Sequence, residues 1–296
     1  MGYRCAVATK LADTQGATVP DLGSTSELGI RLLALLEKMP DDASADNVHK
    51  LRTTVRRLEV HLGEAPQRIA YSLKSLRKKA GHVRDIDVHL GLLDSQLFTG
   101  PRSASHAAVR EELREALNAR RKRYVKMLLR VVKDAAPVLE ARLSKVIRRA
   151  PAHDLAAASV RQTLAEARER YLQWTNSVPE QGAQLHRLRI DIKKLRYSLE
   201  PLSAFPDAAA MAGRFKQVQD AIGLWHDWAT LLDIAGRELG SPASEPAYAA
   251  MEAQTTREFH KARRAAERVR KWFSGAKPAA SAPRTAASHI MLRKAG

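Results

Sequence analysis

The chain of 296 residues contains one cysteine, Cys5, and few aromatic side chains, which make up 5% of it. A single cysteine excludes an intrachain disulfide and a cysteine-rich zinc site, so the sequence fits a reducing compartment better than secretion. No stretch approaches the roughly 18 uncharged apolar residues of a membrane-spanning helix, and the N-terminal residues lack the apolar region of a signal peptide. We therefore expect a cytoplasmic protein without a membrane partner.

Acidic residues are also scarce, because 32 Asp and Glu stand against 50 Lys and Arg, which leaves a formal net charge of +18. Such an imbalance favours a polyanionic partner. The sequence has no P-loop, no GxGxxG, no HExxH and no nucleophile elbow, and its carboxylates are scattered rather than paired. We therefore expect a protein that is not an enzyme and needs no cofactor.

Apolar residues recur at helical spacing along almost the whole chain, and with few aromatic residues this pattern predicts an all-α bundle. Proline and glycine separate the segments, for example at Pro66, Pro101 and Pro206. The predicted helices span 25–38, 45–62, 66–98, 103–149, 155–176, 181–203, 207–238 and 243–273. The fourth is expected to break near Pro137, since proline removes a helical hydrogen bond.

Two pairs of segments resemble each other and indicate an internal repeat. VHKLRTTVRRLEVHL at 48–62 matches LHRLRIDIKKLRYSL at 185–199, and residues 73–93 match 215–235 at nearly the same separation. The aligned residues are His49 with His186, Arg52 with Arg189, Arg56 with Lys193, Arg57 with Lys194, Lys74 with Lys216, and Gly81 with Gly223. Two copies of a four-helix unit are the natural interpretation.

The repeat predicts a first helical domain over 24–150 and a second over 151–273. Residues 1–23 and 274–296 lack helical periodicity. We expect a flexible N-terminal segment and a disordered basic tail rich in Ala and Pro.

A cationic row is predicted beside the apolar stripe of each repeated helix. In residues 45–62 the apolar positions from Val48 to Leu62 recur at alternating spacings of three and four, and His49, Arg52 and Arg56 follow one line beside them. Residues 48–58 contain no Asp or Glu. An ordinary solvated helix face intersperses both signs, so this excess points to a linear polyanion that Arg and Lys would bind.

A cluster of potential metal ligands, His82, Asp85, Asp87 and His89, lies within eight residues. The second copy offers only His226 and Asp227, so the ligand set is not repeated. A helix-capping or ion-pairing role for Asp85 and Asp227 is the simpler interpretation.

The doubled motif H-x-x-R-x-x-x-[RK]-[RK]-L, together with GHVRDIDV and the degenerate GLWHDWAT, resembles the CHAD domain over about residues 25–273. The resemblance implies two four-helix bundles related by pseudo-twofold symmetry, with basic helix faces along a central groove or pore that binds inorganic polyphosphate. The residues it implies for binding are His49, Arg52, Arg56, Arg57, His186, Arg189, Lys193, Lys194 and Arg196, with Lys74, Arg77, Lys78 and Lys216 on adjoining helices as further candidates. Glu59 and the Gln219-Asp220 pair depart from a uniformly basic pattern, so we expect the two halves to contribute unequally.

No strand-rich segment with ExExK motifs accompanies the helices, so the resemblance implies a stand-alone CHAD protein targeted to polyphosphate granules. Two alternatives stay open on the residues alone. The first is nucleic-acid binding, which the basic tail favours and the scarcity of base-stacking aromatics disfavours. The second is a metal-dependent phosphatase that would use the His82, Asp85 and His89 cluster.

Overall fold

A computed structural model describes residues 25–100, 106–149, 157–176, 182–199, 202, 204–239 and 246–275. Within these ranges the chain forms helices and no strand, which confirms the all-α prediction. The helices are α1 (Thr25–Lys38), α2 (Ala45–Leu62), α3 (Gln67–Leu92), α4 (Gln96–Thr99), α5 (Ala107–Arg149), α6 (Ala157–Trp174), α7 (Gly182–Leu199), α8 (Pro206–Glu238) and α9 (Pro246–Gly275). The predictions for residues 1–23 and 276–296 lie outside the described residues.

The chain divides into two compact units. Of the described residues, those up to 149 and those within 224–259 form unit 1, whereas those within 157–223 and 260–275 form unit 2. This division follows contacts and assigns 224–259 to unit 1, whereas the domain bounds predicted above follow the sequence repeat. The repeat and the central groove stay predictions.

The larger core of unit 1 lies among α1, α2, α3 and α5, which pack against one another as a four-helix bundle. On α2 the residues at alternating spacings of three and four are the buried ones, as the stripe predicts: Val48, Leu51, Val55, Leu58 and Leu62. Such burial of aliphatic side chains, at about 25 cal/mol per Å² of apolar surface, is the main stabilising contribution to a helical bundle. The same burial fixes which sides of α2 and α3 face solvent.

A second core of unit 1 joins the C-terminal end of α3 and α4 to the N-terminal turns of α5. The segments of α8 and α9 within 224–259 complete it with residues such as Trp228, Leu231 and Met251. Trp225 packs edge-on against Phe259, with ring centroids 5.8 Å apart. The tryptophans of GLWHDWAT are therefore packing residues.

Unit 2 is built around an aromatic cluster that joins α6 to its segments of α8 and α9. The rings of Tyr171, Phe215 and Phe273 lie with centroids 5.4 to 5.8 Å apart, and each side chain is buried. The Tyr171 hydroxyl donates a hydrogen bond of 2.8 Å to the carbonyl of Ala266, so its polar atom is satisfied inside the core. Burial raises the pKa of Tyr171.

Two predictions about the helices are wrong, one about where a helix ends and one about a break within a helix. The segment predicted as one helix over 66–98 ends at Leu92 and resumes as the short α4. Arg110 explains the break, because its Nε donates to the carbonyl of Leu93 at 3.0 Å and its Nη2 donates to Asp94 at 3.1 Å. A cation on the last carbonyls is a favourable helix terminus.

The break expected near Pro137 is absent, since α5 runs without interruption through that residue. Pro137 and Lys133, whose carbonyl loses its helical donor, are both exposed. Buried residues on the opposite side, including Val132 and Leu139, hold both halves of the helix in the bundle.

No helix among the described residues has the length and apolar character needed to span a lipid bilayer.

Candidate functional site

The cationic row of α2, made of His49, Arg52 and Arg56, lies beside the buried apolar stripe of the helix and next to α3. His49 is exposed, and Arg52 and Arg56 are half-buried. Arg57, one residue on, lies about 100° further around the helix, away from Arg52. The row therefore borders the junction of α2 and α3, and Arg57 lies outside that junction.

Arg52 is held against the backbone of α3. Its Nη1 donates a hydrogen bond of 3.1 Å to the carbonyl of Arg77, and its guanidinium lies over Gly81. A Cβ atom at Gly81 would contact the Arg52 guanidinium, with the Cζ atom only 3.3 Å away. Glycine at position 81 therefore provides the space in which the guanidinium is fixed.

On α3, Lys74 and Lys78 are exposed, whereas Arg77 is half-buried beside α2. Arg77 Nε forms an ion pair of 2.6 Å with Glu59 Oε2 of α2. Together α2 and α3 present a surface that we call the unit 1 face, made of His49, Arg52, Arg56, Lys74, Arg77 and Lys78, with Glu59 within it.

Unit 2 presents the aligned residues on α7 and on the first part of α8. His186 is exposed, Arg189 is half-buried, and Arg189 Nε lies 4.0 Å from the Cβ position of Gly223. The arginine of the row thus approaches a helical glycine in both units. Lys194, the counterpart of Arg57, lies about 100° around α7 from Lys193, away from Arg189, and is outside this surface. We call the surface the unit 2 face, made of His186, Arg189, Lys193, Arg196 and Lys216.

Several cations of the unit 2 face have partners in the unit. Arg196 Nε donates to Gln219 Oε1 at 3.1 Å, and its guanidinium stacks on the ring of Tyr197. Lys216 forms an exposed ion pair with Asp220 at 2.6 Å, and outside the face Lys194 lies 3.7 Å from Asp191. Exposed pairs of this kind contribute little to stability, so a polyanion would displace them at low cost.

The electrostatic environment of His49 keeps its imidazole neutral near pH 7. Partial burial lowers the pKa of His49 below its ordinary value of 6.5, and the positive charges of Arg84 and Arg52 lower it further, while Asp46 opposes them. An imidazole surrounded by cations gains a proton more readily once an anion neutralises them.

The potential metal ligands of α3 have different surroundings. Asp87 Oδ1 accepts a hydrogen bond of 2.6 Å from Arg121 Nε, and the Asp87 side chain is 4% exposed. His82 packs edge-on against Tyr124, and His89 is buried, where desolvation lowers its pKa. No group of three His, Cys, Asp or Glu side chains in the described part of the chain is arranged to hold a metal ion.

A cationic row on α5 was absent from the predicted site. Residues 116–133 contain seven Lys and Arg and no Asp or Glu. Arg120 and Arg121 serve the fold of unit 1 by pairing with Glu238 and Asp87. The other five are exposed and form no ion pair with a carboxylate among the described residues: Lys122, Arg123, Lys126, Arg130 and Lys133. We call these five residues the α5 row. In the sequence, the absence of acidic residues from 116–133 was the feature that could have revealed it.

These observations define a strongly basic, all-helical protein with cationic side chains arranged along helix faces. Its sequence matches the family model of the CHAD domain over residues 31–236, and the chain belongs to the CHAD family. No curated protein sequence matches this chain.

Two solved structures share the fold. The crystal structure of the CHAD domain from the plant Ricinus communis superposes with a TM-score of 0.62 at 18% identity, covering 86% of this chain and 91% of that chain. PptA from Streptomyces chartreusis superposes with a TM-score of 0.59 at 15% identity, covering 90% of this chain and 98% of that chain. At these identities the similarity concerns the fold alone.

Proposed function

We propose that this protein binds inorganic polyphosphate through the unit 1 and unit 2 faces, as a binding module and not as an enzyme. The observation that carries the proposal is the combination, on the unit 1 face, of a held arginine with exposed lysines. Arg52 is fixed over Gly81, and exposed Lys74 and Lys78 lie on the same helix as that glycine. In the cell, the same property would associate the protein with polyphosphate granules in the cytoplasm.

Phosphate chains fit this arrangement for a chemical reason. A guanidinium donates two parallel hydrogen bonds to phosphate oxygens, and one that is already fixed loses little conformational entropy on binding. An exposed lysine supplies a mobile positive charge that follows an irregular chain. The residues of the two faces include no Phe, Tyr or Trp on which bases could stack, so the arrangement favours a polymer of phosphate without nucleosides.

Binding of long-chain polyphosphate should be steeply dependent on salt. If six to eight phosphate charges are neutralised, the slope of log affinity against log salt is expected near −4 to −7, taking about −0.7 to −0.9 per contact as for nucleic acids. Calorimetric titration across a salt series measures this slope. Orthophosphate, single-stranded DNA and heparin serve as competitors. A slope near −1, or orthophosphate competing as well as the polymer, would contradict polyphosphate binding. Stronger competition by DNA would favour a nucleic-acid ligand instead.

Affinity for polyphosphate should rise as the pH falls from about 8 to about 6, because His49 then gains a proton beside the bound anion. The sign follows from the lowered pKa of His49, which is neutral in the free protein and becomes charged when the polyanion offsets Arg52 and Arg84. Titrations at constant ionic strength compare the wild type with His49→Gln. Identical pH profiles in the two proteins would remove His49 from the binding surface.

A further inference from the structure

Glu59 places a carboxylate inside the unit 1 face. Its Oε2 lies 2.6 Å from Arg77 Nε, and the Glu59 and Arg77 side chains are 27% and 38% exposed. Burial raises the pKa of Glu59 above its ordinary value of 4.5, and the positive charges of Arg77, Arg56 and Lys74 oppose that rise. The carboxylate is thus surrounded by cations that the proposed function assigns to phosphate.

Unit 2 has a different pair at the aligned positions. Arg196 aligns with Glu59, and Gln219 aligns with Arg77. The two helices again meet at this contact, where Arg196 Nε donates to Gln219 Oε1 at 3.1 Å. The pair in unit 1 carries no net charge, whereas the pair in unit 2 carries one positive charge and a neutral acceptor.

We infer that Glu59 is an internal counter-anion that competes with phosphate for Arg77 and so weakens the unit 1 face. This inference rests on the proposed function. Carboxylate and phosphate oxygens accept the same charge-assisted hydrogen bonds from a guanidinium, so a phosphate chain must displace Glu59 before it engages Arg77. The displaced carboxylate then repels the chain.

The test replaces Glu59 by Gln, which keeps the shape of the side chain and recreates the Arg and Gln pair of unit 2. Glu59→Gln should raise affinity for long-chain polyphosphate about five- to tenfold at low salt and steepen the salt slope by roughly 1. Asp94→Asn is the matched control, since it removes one carboxylate of unit 1 that pairs with Arg110 and Arg114 away from the face. The control should change affinity less than about twofold, as expected for an exposed charge.

The reciprocal variant Arg196→Glu with Gln219→Arg installs the unit 1 pair in unit 2, and its affinity should fall about five- to tenfold. Circular dichroism and melting temperature verify that each variant is folded. Equal effects of Glu59→Gln and Asp94→Asn would overturn the inference, because net charge would then explain both. Wild type that binds polyphosphate while Glu59→Gln gains nothing would also overturn it and leave the proposed function standing. Loss of all binding in the wild type would reject the proposed function itself.

Discussion

Replacing Lys74 and Lys78 by glutamate is expected to weaken polyphosphate binding about a hundredfold at low salt and to reduce the salt slope by roughly 2 to 3. Both lysines are exposed on α3, one helical turn apart, beside the fixed guanidinium of Arg52. Their reversal removes two contacts and adds two repulsive charges within the unit 1 face. Calorimetry with long-chain polyphosphate at several salt concentrations measures both effects.

The double substitution Lys38→Glu with Lys145→Glu is the control, because it changes the net charge equally at exposed positions of α1 and α5 outside the proposed face. Its salt slope should stay close to that of the wild type. If both double variants lose affinity equally, binding responds to overall charge, and the unit 1 face has no special role.

Phe215→Ala is expected to lower the free energy of unfolding of unit 2 by about 3 to 5 kcal/mol, the usual cost of removing a fully buried aromatic ring. Phe215 lies between α6 and α9 and contacts the rings of both Tyr171 and Phe273. Truncation leaves a cavity that these two rings line, and they fill it only by leaving their present positions. Hydrogen exchange of peptides from α6 and α7, followed through a urea titration, measures the loss.

Tyr171→Phe serves as the comparison, since it keeps the ring and removes only the hydroxyl that donates to Ala266. The carbonyl then loses one partner, which costs about 1 kcal/mol. Equal stability of Phe215→Ala and the wild type would show that the aromatic cluster does not support unit 2.

The helices could be predicted from sequence because helical periodicity is a local property. Leu51 and Leu58 are both fully buried on α2, where alternating spacings of three and four placed them. Helix ends that depend on side chains distant in the sequence could not be predicted from this local periodicity. The end of α3 depends on Arg110, which lies 17 residues beyond the carbonyl it caps.

The candidate site was predictable as a set of cations and not as a set of contacts. The repeat and the family resemblance drew attention to Arg52, Arg77 and Gly81, but the arrangement of these residues depends on how α2 and α3 pack. Sequence alone marked Glu59 as a departure from a basic pattern. The ion pair with Arg77 became visible only when the two helices were placed side by side.

Pro137 makes α5 easier to bend at one point, although the helix is continuous there. A long helix bends most easily where one of its backbone hydrogen bonds is missing. Local unfolding that starts on one side of that point is expected to spread less readily to the other side. Lys133 provides the carbonyl of the missing hydrogen bond, and the other four residues of the α5 row lie before this point in the chain. Bending of the helix at Pro137 is therefore expected to leave the spacing of Lys122, Arg123, Lys126 and Arg130 unchanged.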